Sequence, residues 1–327
     1  MDIAHQPRID LPRQAGRVTV RQGGIGDDLD ALNTGNAFWW GKDFLAARIA
    51  TSPPDDPWFV LVASLDGRDV GYAFLLAKGI QAGGRAMADM YVLPDGRGRG
   101  VGRALLDALA LEVSARALPG MLSSIQDDDE ASLVAARRWG CTEVGHHRES
   151  VLDLDAVEDA SVDALVRRVE DAGLALEPLG PDTDDTEWRR VYDMVNPLWA
   201  DTPDAEGASD SMPYDVWRGF FTDPAYVLVA RKDGVPVAAD MLMDRAKDRA
   251  LNILFIAVTP EARGLGLAAA LMGRHAQLMR DAGHRRLYTQ NMDQNTRILA
   301  ANDRVGFRVQ SGFYDFAYDL PEKAADR

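Results

Sequence analysis

Two short segments of this 327-residue chain have the composition of an anion cradle. Val92-Leu93-Pro94-Asp95-Gly96-Arg97-Gly98-Arg99-Gly100-Val101-Gly102 returns later, nearly letter for letter, as Val258-Thr259-Pro260-Glu261-Ala262-Arg263-Gly264-Leu265-Gly266-Leu267-Ala268. Each copy follows an apolar run that stops at V-x-P, and each opens a stretch with helical spacing. Glycines let a backbone approach closely, loop amides point at an anion, and the positive end of a helix adds a favourable field. The chemistry such a loop supports is the holding of a pyrophosphate. Neither copy is a dinucleotide fingerprint, because no G-x-G-x-x-G appears, and neither is a P-loop, because no G-K-[ST] follows.

The spellings Arg97-x-x-Gly100-x-Gly102 and Arg263-x-x-Gly266-x-Ala268 match an R/Q-x-x-G-x-G/A signature. On these residues the chain resembles the GNAT superfamily of acyl-CoA-dependent N-acetyltransferases, written twice in tandem. The resemblance implies a sheet whose fourth and fifth strands part, with pantetheine lying in the gap and the diphosphate on the loop that follows. Those roles fall on Met90, Tyr91, Val92, Arg97, Gly98, Arg99, Gly100, Val101, Gly102 and Arg103 in the first copy. In the second they fall on Ile256, Ala257, Val258, Arg263, Gly264, Leu265, Gly266, Leu267, Ala268 and Ala269. Acetyl-CoA is the co-substrate so implied.

The same resemblance points to the second copy as the catalyst. The family's last signature helix commonly ends Y-x-x-x-G-F, its tyrosine near the CoA sulfur. Asn302 takes that place before Gly306-Phe307, whereas the first copy has Ala136 and ends Gly140-Cys141. A run of amides, Gln290, Asn291, Asn295 and Asn302, is suited to hydrogen-bonding pantetheine or an incoming amine, with helix capping an equal alternative for Asn295. The usual strand carboxylate is replaced by Asn252, and by Ala86 in the first copy, so neither position supplies a base. Asp240, in the apolar run Val237 to Leu242, and Asp201 remain as candidates for base or amine docking. An outward-facing Asp240 is an equal alternative. Tyr288 and Tyr314 are candidate proton donors. Trp199 and Trp217 flank the loop Asp201 to Asp210 and are candidate walls of the acceptor pocket, though packing over the sheet is the commoner fate of such rings.

These groups need elements to position them. The first copy reads as a strand at Val18 to Arg21 and helices over Asp27 to Trp40 and Asp43 to Ala50. A hairpin of Trp58 to Ser64 and Val70 to Lys78 turns at Asp66-Gly67, and the strand Met87 to Leu93 enters the loop. The helix Gly102 to Ala117, a strand, a helix and closing strands follow to Leu154. The second copy repeats the order from Leu174 onward, with Asp233-Gly234 mirroring Asp66-Gly67. The organisation expected is a flexible N-terminus at 1–16, a GNAT domain at 17–154 and a helical connector at 155–173. A second GNAT domain at 174–320 and a tail at 321–327 complete it. The fold class is α/β (α+β), each copy a mixed, mostly antiparallel splayed sheet flanked by helices. In size and tandem layout the chain resembles the mycothiol synthase type of the superfamily, whose C-terminal domain is the catalyst. That likeness does not extend to the substrate.

Composition narrows the partners. A net charge of −15 argues against nucleic acid, whose phosphates demand a basic footprint. No apolar run reaches the ~18–20 residues of a bilayer span, and no apolar stretch of a signal peptide is visible near Met1. One cysteine, Cys141, excludes an intramolecular disulfide, and the five histidines show no metal-site spacing. The expectation is a cytoplasmic, metal-free acetyltransferase acting on a small-molecule amine, as monomer or homodimer. A non-catalytic acyl-CoA-binding protein and a protein or peptide N-acetyltransferase are the alternatives.

Overall fold

The computed structural model describes residues 18–24, 26–32, 59–76, 84–199, 213–245 and 250–320. The expected helices at Asp27 to Trp40 (beyond Leu32) and Asp43 to Ala50 lie outside these residues, as do both termini and Asp201. The chain divides into two compact units.

The first unit comprises 1–125, 129–144 and 314–327. Strands β1 (Val18–Gln22), β2 (Phe59–Leu65), β3 (Arg68–Leu76) and β4 (Ala86–Val92) form an antiparallel meander. Asp66 and Gly67 both adopt positive φ, 53° and 82°, as a two-residue hairpin turn requires. Every residue of β2 is buried. Leu61, Ala63 and Leu65 join the cluster under helix α2 (Val101–Ala115), while Val60 and Val62 pack with Leu29 and Leu32 of α1 (Leu29–Leu32). Strand β5 (Gly120–Gln126) runs parallel to β4 for only two pairs, Ala86 with Met121 and Met87 with Leu122. Helix α3 (Glu130–Arg138) starts at Asp129, whose carboxylate accepts from the Ser132 amide. Beside β5 lies the Tyr314–Asp319 portion of the chain's last strand: Ser124 Oγ donates to Asp315 at 2.6 Å.

The second unit comprises 126–128 and 145–313. Its sheet runs β7 (Leu174–Pro178), β8 (Val227–Lys232), β9 (Val235–Arg245), β10 (Ala250–Val258), β11 (Arg286–Met292), in the order β7-β8-β9-β10-β11. The outer neighbour of β11 is the strand Thr142–Asp153 (β6), antiparallel from His147 opposite Met292 to Asp153 opposite Arg286. Helix α4 (Asp159–Glu170) packs against α7 (Leu267–Asp281). A Cβ at Gly273 would stand 3.0 Å from Val162, and Asp159 accepts from both Gln277 and Arg280. Helix α5 (Asp185–Trp199) covers β9 and β10. Helix α6 (Tyr214–Arg218) and α8 (Thr296–Val305) complete the unit.

Two expectations about organisation therefore change. The segment 145–153 belongs to the second unit, and 314–320 to the first, so the boundaries at 154 and 320 do not separate the compact bodies. The stretch 155–173 is not a bare connector, because its helix buries Val162 and Val169 within the second unit. Long strands of alternating residues carry no label saying whose sheet they complete.

Candidate functional site

Both loops take the same backbone path. Arg97 and Arg263 are extended at φ −67° and −68°, and Gly100 and Gly266 are left-handed at φ 89° and 86°. Gly98 and Gly264 are left-handed too, at 69° and 84°. Only glycine holds that region without penalty, so the repeated spelling is a repeated conformation. In each loop the arginine Nε donates to the carbonyl that ends the preceding strand, Val92 at 2.9 Å and Val258 at 3.2 Å. The glycine then caps a fifteen-residue helix, leaving the first-turn amides unpaired within it.

In the second unit this loop forms one end of a cleft of about 1070 Å³. Strand β10 runs parallel to β11 for three pairs only, ending at Asn252 opposite Tyr288. A bulge between Ile253 and Phe255 then turns β10 away. The walls are Ile253 to Val258 of β10, Thr289 to Asn291 of β11, Ala262 to Gly264 of the loop and the starts of α7 and α8. Leu198 of α5 also lines the cleft. The N-termini of two helices thus open on one space that also carries Arg263 and Arg297, in a chain otherwise acidic.

Of the residues expected at the cofactor, Ile256, Ala257, Val258, Arg263, Gly264, Leu267, Ala268 and Asn295 line the cleft, as does the expected substrate residue Asn291. Leu265 packs against the core cluster under α7, and Ala269 is buried. Asn302 is buried behind the wall, its Nδ2 donating to Asn291 Oδ1 at 2.8 Å. Thr289 Oγ1 donates to the same oxygen at 3.3 Å, so the Asn291 carbonyl is taken and its NH₂ is the end left for a ligand. Turn residue Asp293 accepts from His146 at 2.8 Å and bonds Arg148. The His146 hydrogen bond, ahead of Arg148, holds its carboxyl below the usual carboxylate value.

Other expected residues are not at the cleft. Asp240 is fully buried on the sheet face under α7, its Oδ2 3.0 Å from His275 Nδ1, whose Nε2 meets the Ala225 carbonyl at 2.9 Å. It faces a helix rather than a pocket, so a base role has no geometric support. Trp217 is 1% exposed within a cluster of Trp188, Tyr192 and Phe221 and is not among the residues lining this cleft. Trp199 stands one ring away from the cleft, against Phe255 at 4.8 Å. Asn252 donates to the Ile253 carbonyl, and Tyr288 lies under the Arg245 guanidinium at 3.9 Å. Neither borders the cleft, and Tyr288 does not approach it as a proton donor would.

Sequence reasoning missed Leu198, Phe255, Thr289 and Arg297 as wall residues, and Glu149 behind Gln290. Phe255 was hidden by the bulge, which changes the face a strand residue takes. Arg297 had a readable signal, a cation two residues past the N-cap Asn295.

In the first unit, Met90, Tyr91 and Val92 enter a loop whose arginines are engaged within the unit. Arg99 pairs with Asp66 at 3.3 Å, Arg103 with Asp107 at 2.9 Å, and Arg97 lies 5.4 Å from the Tyr91 ring centroid. Trp139 presses on the start of α2, where a Cβ at Gly102 would meet it at 2.9 Å. Val305 occupies the matching position of the second copy.

Comparisons with known proteins agree with this geometry. An acetyltransferase (GNAT) domain model matches residues 56–139, and an acetyltransferase (GNAT) family model matches 188–307. A mycothiol acetyltransferase of Clavibacter michiganensis subsp. michiganensis is 30% identical over 266 residues, 80% of each chain. One from Stackebrandtia nassauensis is 25% identical, covering 88% of this chain and 89% of its own. Among solved structures, a tandem GNAT protein from the clavulanic acid biosynthesis pathway superposes with TM-score 0.70 at 18% identity, over 94% of this chain and all of the other. A GCN5-related N-acetyltransferase from Sphaerobacter thermophilus gives 0.68 at 16% identity, covering 94% and 97%. Among the described residues no helix is long and apolar enough to cross a membrane. With a GNAT signature loop in each half and a splayed sheet at each loop, the chain belongs to the GNAT family of acetyltransferases as a tandem N-acetyltransferase.

Proposed function

We propose that the chain moves an acetyl group from acetyl-CoA to the primary amine of a small molecule, with the chemistry in the second unit. The observation that carries this reading is the cleft through the β10/β11 split. Its lining includes the pyrophosphate cradle at Ala262 to Gly264 together with Leu198, Phe255 and Gln290. Residues along it suit the carrier: Arg263 and the first amides of α7 for the phosphates, and the open edge of β10 from Leu254 to Val258 for an extended amide-bearing arm. The Asn291 NH₂ suits a carbonyl of that arm.

The nitrogen lone pair attacks the thioester carbon, the C–N bond forms, the C–S bond breaks, and the amine's proton passes to the departing thiolate. The attacking amine must be neutral, so a base or water chain is required before the step. The tandem layout alone carried no substrate, but relatives at 25% and 30% identity that are mycothiol acetyltransferases make the mycothiol precursor amine, des-acetyl mycothiol, the first acceptor to test. The first unit, with Trp139 against the start of its loop helix where the second copy has Val305, is assigned a structural or carrier-holding part.

Thiol release from acetyl-CoA, followed with a chromogenic disulfide in the presence of des-acetyl mycothiol, glucosamine, spermidine and tyramine, tests the reading. The free thiol of des-acetyl mycothiol calls for mass detection of product in that arm. Acetylated product with at least one amine is expected. A chain that binds acetyl-CoA and acetylates none of them refutes catalysis in favour of a binding protein.

A further inference from the structure

A carboxylate from the first half of the sequence lies one hydrogen bond behind the second unit's cleft. Glu149 on β6 stands opposite Gln290 on β11. Its Oε2 accepts from Gln290 Nε2 at 3.0 Å and from Arg245 Nη1 at 3.2 Å. Its side chain is only 12% exposed, and Arg245 is fixed in turn by lying over the Tyr288 ring at 3.9 Å. Of the three charged or amide groups, only Gln290 borders the cleft.

We propose that the Arg245–Glu149 pair is a positioning device that sets the polarity of Gln290, and so selects an acceptor that donates an N–H to it. A carboxylate has no proton to give, so it accepts only the amide nitrogen of Gln290. One N–H of that nitrogen is thereby held on Glu149, which fixes which way the amide is turned and makes the carbonyl Oε1 the acceptor Gln290 can offer a ligand. Next to it, Asn291 is fixed the opposite way, its carbonyl taken by Asn302 and Thr289. Adjacent residues of β11 therefore offer the cleft a carbonyl and an NH₂, one for a ligand donor and one for a ligand acceptor. Asn291 suits the carrier arm and Gln290 suits the amine.

The charge balance explains why an amide stands at the front and the carboxylate behind it. A bare carboxylate touching the amine would favour its protonated, non-nucleophilic form. A carbonyl backed by a neutralised Arg–Glu pair accepts an N–H without that penalty. This inference rests on the acetyltransferase reading above and adds how the acceptor is chosen.

The test uses the full chain, acetyl-CoA and whichever panel amine the wild type acetylates. Gln290→Met keeps the side-chain length and removes the carbonyl. Glu149→Gln keeps the shape of the positioning residue and lets the Gln290 amide turn over. Each is expected to raise the acceptor KM about tenfold, roughly 1.4 kcal/mol, while the acetyl-CoA KM stays within about twofold. An unchanged acceptor KM in Gln290→Met overturns the proposal, and so does an equal rise in both KM values, which is what loosened packing of β11 produces. A wild type inactive toward every amine refutes instead the functional reading, and this inference with it.

Discussion

Valine at Gly266, compared with valine at Gly100, separates the two cradles because the structure makes each substitution a control for the other. The two glycines have φ of 86° and 89°, and an added Cβ meets nothing within 4 Å at either. The backbone strain is therefore nearly the same, about 1–2 kcal/mol for an L-residue in the left-handed region. For bodies of this size that corresponds to roughly 2–8 °C in Tm. What differs is the consequence for the amides that follow. At Gly266 they belong to Leu267 and Ala268, which line the cleft. Misdirecting one amide that serves a charged phosphate forfeits about 1.5–3 kcal/mol, or ten- to a hundredfold in affinity. Steady-state kinetics and calorimetry with acetyl-CoA are the assays, with thermal unfolding run in parallel. Gly266→Val is expected to raise the acetyl-CoA KM at least tenfold, and Gly100→Val to leave turnover within about threefold at a matched fall in Tm. Equal kinetic losses at both glycines, or a larger one at Gly100, refute the assignment of chemistry to the second unit.

Three further outcomes follow from the same geometry. Asp240→Ala leaves His275 Nδ1 without its partner in the core, so stability falls by about 1–3 kcal/mol while the folded enzyme keeps its turnover. A collapse of kcat at temperatures where the variant remains folded restores Asp240 as a catalytic group. Asn302→Ala removes the donor that holds the Asn291 carbonyl, and acetyl-CoA affinity is expected to fall about fivefold by calorimetry, from ~1 kcal/mol of lost hydrogen bonding. No change there means Asn291 is not oriented for the carrier. For Asp293 the folded-state pKa lies below the ordinary 3.8, through the His146 hydrogen bond first. Its contribution is thus complete above about pH 4 and is lost as pH falls through the depressed value. Protection of the amides at Met292 to Thr296, exchange rates taken relative to the intrinsic rate at each pH, should fall on acidification, and Asp293→Asn should remove that dependence. A turn whose protection is the same across that acid range in the wild type contradicts the clamp.

Much of this was written in the chain itself. The two loops were legible because their requirements are local: a left-handed φ at Gly264 and Gly266 needs glycine, and the arginine that ties each loop to its strand lies five residues from the carbonyl it bonds. Hairpin turns at Asp66-Gly67 and Asp233-Gly234 declare themselves for the same reason. The groups around the cleft were decided otherwise. Asp240 sits in an apolar strand where period alone leaves its face open, and packing under α7 put it against His275. Trp217 was absorbed by other rings, and the bulge in β10 gave Phe255 to the wall. Glu149 and Gln290 stand 141 residues apart in sequence. They meet only because β6 completes the sheet beside β11. Local conformation follows from residue type within a few positions, whereas a side chain's partners depend on which strand lies next to it, and long-range pairing settles that.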